Sequence, residues 1–350
     1  MALRIGIRAF ARRVVDGCNA AAYESHPVMQ QRWLVLAVSS LSVSLLPARV
    51  VAESELPPHV GWDSGRLETG RGAALSGAEI AKSSSLGALF SNPANMAASR
   101  IYHAGATAAI WPEAARQAYG AAVVDSHTSS TGLAGGVSGT WFMQDPNGIE
   151  RTGTDVRFAI AFPFSQKFRL GAGAKYLSLR QNGHGPLGES LASSGLPKAS
   201  IVRDFGIDAG ATLQPIPGLA FSIVGMNLNI AHSGLLPMMA GGGIGGGNDN
   251  FTLEADILAD FSTWDRTTLR AMGSAELLLG DHFPIRAGYR FDEGAKMQWL
   301  SAGTGYTDKS MRIELGVRRS VSGPGATAIV FSLVYHVESA GLGSTTTDTY

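Results

Sequence analysis

Beyond residue 100 the chain alternates apolar and polar positions, one short segment after another. Phe251, Leu253, Ala255, Ile257, Ala259 and Phe261 share one parity, and Thr252, Glu254, Asp256 and Asp260 share the other. The same pattern returns in Met311, Ile313, Leu315 and Val317 against Arg312, Glu314 and Arg318. It returns again in Ile329, Phe331, Leu333 and Tyr335 against Ser332, His336 and Glu338. A period of two is that of a strand with one apolar and one polar face. Because the polar face carries charges and the other is apolar enough for lipid, the pattern predicts an all-β fold: a transmembrane antiparallel β-barrel.

Residues 101–338 divide into about 14 such strands, each long enough to cross a bilayer at a tilt. They fall near 101–112, 115–126, 131–143, 153–164, 166–179, 201–213, 218–229, 236–244, 250–262, 267–279, 283–292, 296–306, 310–320 and 325–338. The turns that follow even-numbered strands are short: Phe164 and Ser165, Gln214 to Pro217, Asn248 and Asp249, Gly280 to His282, Thr307 to Lys309. The longest connection, Leu179 to Ser200, falls at the opposite end. Short turns on one side and the single long connection on the other fit a barrel with its N-terminus in the periplasm. Trp111, Trp141, Phe164, Phe168, Trp264, Phe283, Phe291 and Tyr306 lie near strand ends, where aromatic residues meet the lipid interfaces.

Composition agrees. Glycine fills 44 of 350 positions and only 16% of residues are charged, which departs from an ordinary soluble domain. No run of about 20 apolar residues follows residue 52, so a spanning helix is not expected there. The apolar stretch Trp33 to Val51, preceded by Arg32 and closed by Val50, Val51 and Ala52, reads as a signal peptide cleaved near Ala52. Residues 1–28 are long for the basic start of a leader, and Met29 makes a better initiator. Without the leader the balance of 28 basic against 28 acidic residues becomes 22 against 26, which gives no reason to expect nucleic acid. The single cysteine, Cys18, lies in the leader, so the mature chain has no disulfide or cysteine metal site.

Chemistry-bearing motifs are sparse. Gly241, Gly243 and Gly246 match G-x-G-x-x-G, but no helix follows, and no H-E-x-x-H or phosphate-loop motif occurs. Ser332 and His336, four residues apart on a strand, are separated by about 13 Å. The chain is therefore read as a non-enzyme without cofactor or metal. The inward parity carries Asp204, Asp208, Glu254, Asp256, Asp260, Arg270, Glu276, Arg286, Arg290, Arg312, Glu314 and Arg318. Cross-strand pairing in the lumen accounts for them. A second reading makes Arg270, Arg286, Arg290 and Arg312 a landing site for an anionic group of a ligand.

Residues 53–100 have no sustained period and are rich in small residues, too long a stretch for a simple loop; packing inside the barrel is the expectation. Two motifs stand in it, Gly70-Arg71-Gly72-Ala73-Ala74-Leu75-Ser76-Gly77-Ala78 and Asn92-Pro93-Ala94-Asn95-Met96. Together with their place between leader and first strand, they resemble the long-chain fatty acid transporter superfamily of outer-membrane barrels, which includes shorter barrels related to the type IX secretion shuttle. The resemblance implies an N-terminal plug in the lumen, with Asn92, Pro93 and Ala94 as its hatch, and a hydrophobic small molecule such as a fatty acid as ligand. It divides the chain into leader 1–52, plug 53–100, barrel 101–338 and polar tail 339–350, in the outer membrane of a diderm bacterium and in contact with its lipid. The alternative is a structural or secretion-associated barrel that carries no solute and acts on a protein partner through the 180–200 loop.

Overall fold

The computed structural model describes residues 68–145, 148, 150–182, 199–229, 236–264, 266–323 and 325–340. The leader and its cleavage site, residues 53–67, most of the long connection (183–198) and the tail from 341 lie outside the described residues.

Among the described residues, fourteen strands close into one antiparallel barrel. They are β1 Tyr102–Trp111, β2 Arg116–Asp125, β3 Ala134–Gln144, β4 Arg151–Pro163, β5 Phe168–Gln181, β6 Ala199–Ile216, β7 Leu219–Met226, β8 Met239–Gly247, β9 Phe251–Asp260, β10 Thr268–Leu279, β11 Phe283–Asp292, β12 Met297–Thr307, β13 Met311–Ser322 and β14 Thr327–His336. Each strand pairs with its sequence neighbours, and β1 closes on β14 with His103 opposite His336 and Ile110 opposite Ile329. Closure leaves no unpaired sheet edge.

The two parities become the two surfaces of the wall. On β9, Phe251, Leu253 and Ile257 point outward and are about half exposed, whereas Glu254, Asp256 and Asp260 are buried. On β14, Phe331, Leu333 and Tyr335 point outward while Val330, Ser332, Val334 and His336 are buried. An outer surface this apolar is solvated by lipid better than by water. Among the described residues no helix is long and apolar enough to cross a membrane.

Three expectations need correction. Trp111 does not reach the outer surface: it shares the inward parity of β1 with His103, Thr107 and Ala109, and lies buried with the Arg116 guanidinium 4.2 Å from its ring. β6 continues past residue 213 to Ile216, with a register break between Leu213 and Ile216. Pro215 lies within that break, where a residue without an N–H is tolerated. Glu338 is not on the last strand but in a 3-10 turn, Val337–Ala340.

Residues 68–98 lie against the inward face of the wall. They form two short helices, α1 Gly70–Ala74 and α2 Ser85–Phe90, and a 3-10 helix, Pro93–Ala97. Thr69 caps α1 by accepting from the Gly72 N–H, and Asn92 caps the 3-10 helix by accepting from the Ala94 N–H. Pro93 stands at the first helical position, where its missing N–H costs nothing. Glycines in the wall let backbone meet backbone. A Cβ on Gly316 would collide with the Gly70 carbonyl, and one on Gly171 with the Ala94 amide. Part of the glycine excess is thus explained by packing of this segment.

Candidate functional site

Two asparagines fasten the segment to the wall. The Asn92 side-chain amide donates to the Ile80 carbonyl (2.9 Å) and to Thr212 Oγ1 (3.2 Å). Asn95 donates to the Ile80 carbonyl (3.0 Å) and Ser83 Oγ (3.0 Å), and its Oδ1 accepts from Thr212 Oγ1 at 2.7 Å. Thr212 on β6 also shares a 2.7 Å hydrogen bond with Ser222 on β7. Asn92 and Asn95 are both essentially fully buried, so each lost partner would leave a polar group stranded. The 3-10 turn places residues i and i+3 one above the other, which lets both amides reach the Ile80 carbonyl. The motif Asn92-Pro93-Ala94 is thus half of the device. Asn95, equally important by its bonds, could have been found from that three-residue spacing, while Thr212 and Ser222 carry no sequence signal.

The inward charges serve this segment as well as each other. Glu254 accepts from the Ala81 and Lys82 N–H groups (2.5 and 3.1 Å), Asp256 from the Ile80 N–H (2.9 Å) and Glu314 from the Arg71 N–H (3.3 Å). The Ser332 hydroxyl accepts from the Gly70 N–H at 2.7 Å, and the Ser301 hydroxyl donates to the Ala74 carbonyl at 2.6 Å. Acceptors on β13 and β14 thereby satisfy backbone donors that the first turn of α1 leaves open, and those on β9 serve the turn at residues 80–82.

Arg71 lies between Glu79 (2.7 Å) and Glu276 (3.1 Å). Burial opposes its charge, but Glu276 and Glu79 outweigh burial and hold the guanidinium above its ordinary range. Burial pushes the Glu79 carboxyl up, against the opposing pull of Arg71.

The four arginines singled out by sequence separate into two groups. Arg286 pairs with Glu276 across β10–β11 and reaches Glu314 at 3.4 Å; Arg312 is 3.8 Å from Glu314. Both line a cavity of about 230 Å³ at the short-turn end, with Arg71, Lys82, Asp249 and Glu276. Arg270 instead pairs with Asp292 at 2.8 Å, and Arg290 lies 5.3 Å from the Trp299 ring; neither lines that cavity. Cross-strand pairing therefore holds for Arg270 and Arg286. Asp208 pairs with Lys175 at 3.0 Å.

At the other end the inward parity is apolar on β1, β3, β5 and the start of β6, while Asp260, Arg270 and Asp292 keep it charged on β9 to β11. Trp111, Phe142, Leu177, Leu179 and Val202 are buried in one cluster that continues to Leu86, Leu89 and Phe90 of α2 and to Met96. These wall residues sit near the ends of β1, β3 and β5 and the start of β6, beside the longer connections. Arg116 caps the cluster, with its guanidinium carbon 5.6 Å from the Phe142 ring. Sequence marks the inward parity by its charges; the apolar stretch shows only when strand ends distant in sequence are brought together.

No family model and no curated protein matches the sequence. Solved structures do. The toluene transporter TbuX of Ralstonia pickettii aligns with a TM-score of 0.57 and 13% identity, over 77% of this chain and 98% of that one. The monoaromatic hydrocarbon channel CymD aligns with a TM-score of 0.59 and 14% identity, over 77% and 96%. The Pseudomonas putida toluene transporter TodX gives 0.54 and 13%, over 77% and 98%. At this level of identity the likeness is one of fold, the closed fourteen-stranded barrel.

Proposed function

We propose that this chain is an outer-membrane barrel, exported with a leader ending near Ala52, that binds or passes hydrophobic small molecules through a lumen plugged by its N-terminal segment. It belongs by this reading with the fatty acid transporter-like barrels, and it carries out no catalysis. The observation that carries the proposal is the buried apolar cluster that joins the wall beside the longer connections to α2. A hydrophobe moving there from water gains about 0.8 kcal/mol per buried methylene. The hydrocarbon transporters of the same fold support that ligand class, and both monoaromatic compounds and fatty acids fall within it.

In this reading residues 53–100 are the plug and Asn92, Pro93 and Ala94 its hatch, with Asn95 beside them. Arg286 and Arg312, in the charged cavity at the short-turn end, are where an anionic group such as a fatty acid carboxylate would lie; Arg270 and Arg290 hold the wall together. A ligand would enter at the apolar mouth, and it leaves when the segment shifts. One observation favours a second reading, a structural or secretion-associated barrel working through a protein partner at the 180–200 loop: the cavity at the short-turn end is charged, where a hydrophobe route calls for an apolar chamber.

Extraction from outer membranes in mild detergent, followed by mass spectrometry of the lipids and proteins that stay bound, separates the two. A stoichiometric hydrophobe, lost when Phe142 and Leu177 are replaced by serine in a barrel that still folds, upholds the transport reading. An empty barrel that retains a protein partner, released on deleting residues 183–197, replaces it with the second.

A further inference from the structure

We infer that the seam where the barrel closes holds a binding site for a divalent transition cation of the Zn²⁺ class, built from His103, His336 and Glu338. The inference does not depend on the transport reading. His103 is near the start of β1, His336 is the last residue of β14, and the two are direct partners across the seam. Glu338 follows in the 3-10 turn, and His103 Nε2 lies 3.0 Å from Glu338 Oε1. Each of the three residues offers one ligand atom within 4.8 Å of the other two. Two imidazoles and one carboxylate form a donor set suited to Zn²⁺, with a position left for water.

What lies behind the ligands is the stronger argument. The His336 Nδ1 is 3.2 Å from the Lys309 carbonyl oxygen, which only accepts, so that nitrogen carries the proton and a neutral ring keeps its lone pair on Nε2. The His103 Nδ1 lies 2.5 Å from the Ser85 hydroxyl. With no cation, the His103 Nε2–H donates to Glu338 and the Ser85 hydroxyl donates to Nδ1. With a cation on Nε2, the proton sits on Nδ1 and the hydroxyl accepts it, leaving the neutral ring with the same number of protons. A hydroxyl can take either role. Outer partners that fix both rings are what metal-binding histidines ordinarily have.

Ser85 also has a φ of +55°, an unfavourable conformation for a residue with a Cβ. A glycine there would relieve the backbone, but it would remove the hydroxyl from His103. The other Glu338 oxygen accepts from the Tyr102 N–H at 3.0 Å, which aims the carboxylate at the rings. Binding requires some movement: the rings are stacked 4.1 Å apart and 15° from parallel, and must splay to share one ion at about 2.0–2.1 Å from each nitrogen. The positive charge of Arg312 acts on both rings and opposes the cation.

The test is titration of the untagged, full-length barrel in detergent with Co²⁺ and Zn²⁺. The expected result is one ion per barrel, a visible Co²⁺ absorption band of four- or five-coordinate type, and its displacement by Zn²⁺. His336→Gln and Glu338→Gln should weaken binding at least about 10-fold, and Ser85→Gly, which keeps the fold and removes only the partner of Nδ1, by about 10- to 100-fold. His282→Gln, at an exposed histidine on a short turn, should change nothing. Heat-modified mobility in gels and trypsin resistance establish that each variant is folded; should His336→Gln fail there, Glu338→Gln and Ser85→Gly decide. No bound ion in the wild type, or an affinity unchanged in the folded variants, overturns the site.

Discussion

Individual residues in this barrel act by what they satisfy. Asn95 closes hydrogen bonds to the Ile80 carbonyl, the Ser83 hydroxyl and Thr212 at once, so Asn95→Ala strands the buried Ser83 hydroxyl at about 1–3 kcal/mol and leaves the Ile80 carbonyl and Thr212 to Asn92 and Ser222. The expected outcome is a folded barrel whose N-terminal segment is cut faster by trypsin at Arg71 and Lys82; unchanged cleavage would remove Asn95 from the anchoring. Arg71→Met should cost more, about 3–5 kcal/mol, because it leaves Glu79 without its cation and Glu276 with Arg286 alone. A lower melting temperature, partly restored by adding Glu79→Gln, checks that. Asp308, in the turn between β12 and β13, shows the same logic outside the wall: the Ser310 hydroxyl and the Met311 and Ser310 N–H groups hold its carboxyl below the usual range.

Elements here are set by period and by interruption. All fourteen expected strands match the observed ones to within three residues at both ends, because alternation reports burial on one face directly. β6 differs most at the short-turn end, where the prolines suggested a turn and the wall instead accommodates Pro215 in a bulge. Toward its other end β6 extends beyond the ladder with β7, and a side chain stands in for strand: Asn229 Oδ1 accepts from the Ile207 N–H (2.7 Å) and its amide donates to the Phe205 carbonyl (2.7 Å). Asn229→Ala should speed amide hydrogen exchange at Ile207 and leave β13 protected. Equal protection in wild type and variant would show that this amide is held by something else.

At the scale of the whole molecule, the proposed plug is tested by permeability. Gly316→Val and Gly171→Val each place side-chain atoms where segment backbone now lies, so they should loosen the segment while the wall still closes. Planar-bilayer recordings are expected to be silent for the wild type and to show open events in these variants; a leaky wild type would end the plug reading. The sequence alone determined the wall, because a period of two, short turns and one apolar parity depend only on neighbours along the chain, and it marked Asn92, Pro93 and Ala94 as special. It could not determine which inward residues meet. Glu254 and Asp256 look like lumen charges until residues 80–82, more than 170 positions away, present N–H groups to them. His103 and His336 are dispersed histidines until β1 closes on β14. Strand pairing repeats locally and can be read from the chain, whereas closure of the barrel and the path of a segment through its interior bring together distant residues, and only the tertiary structure decides those contacts.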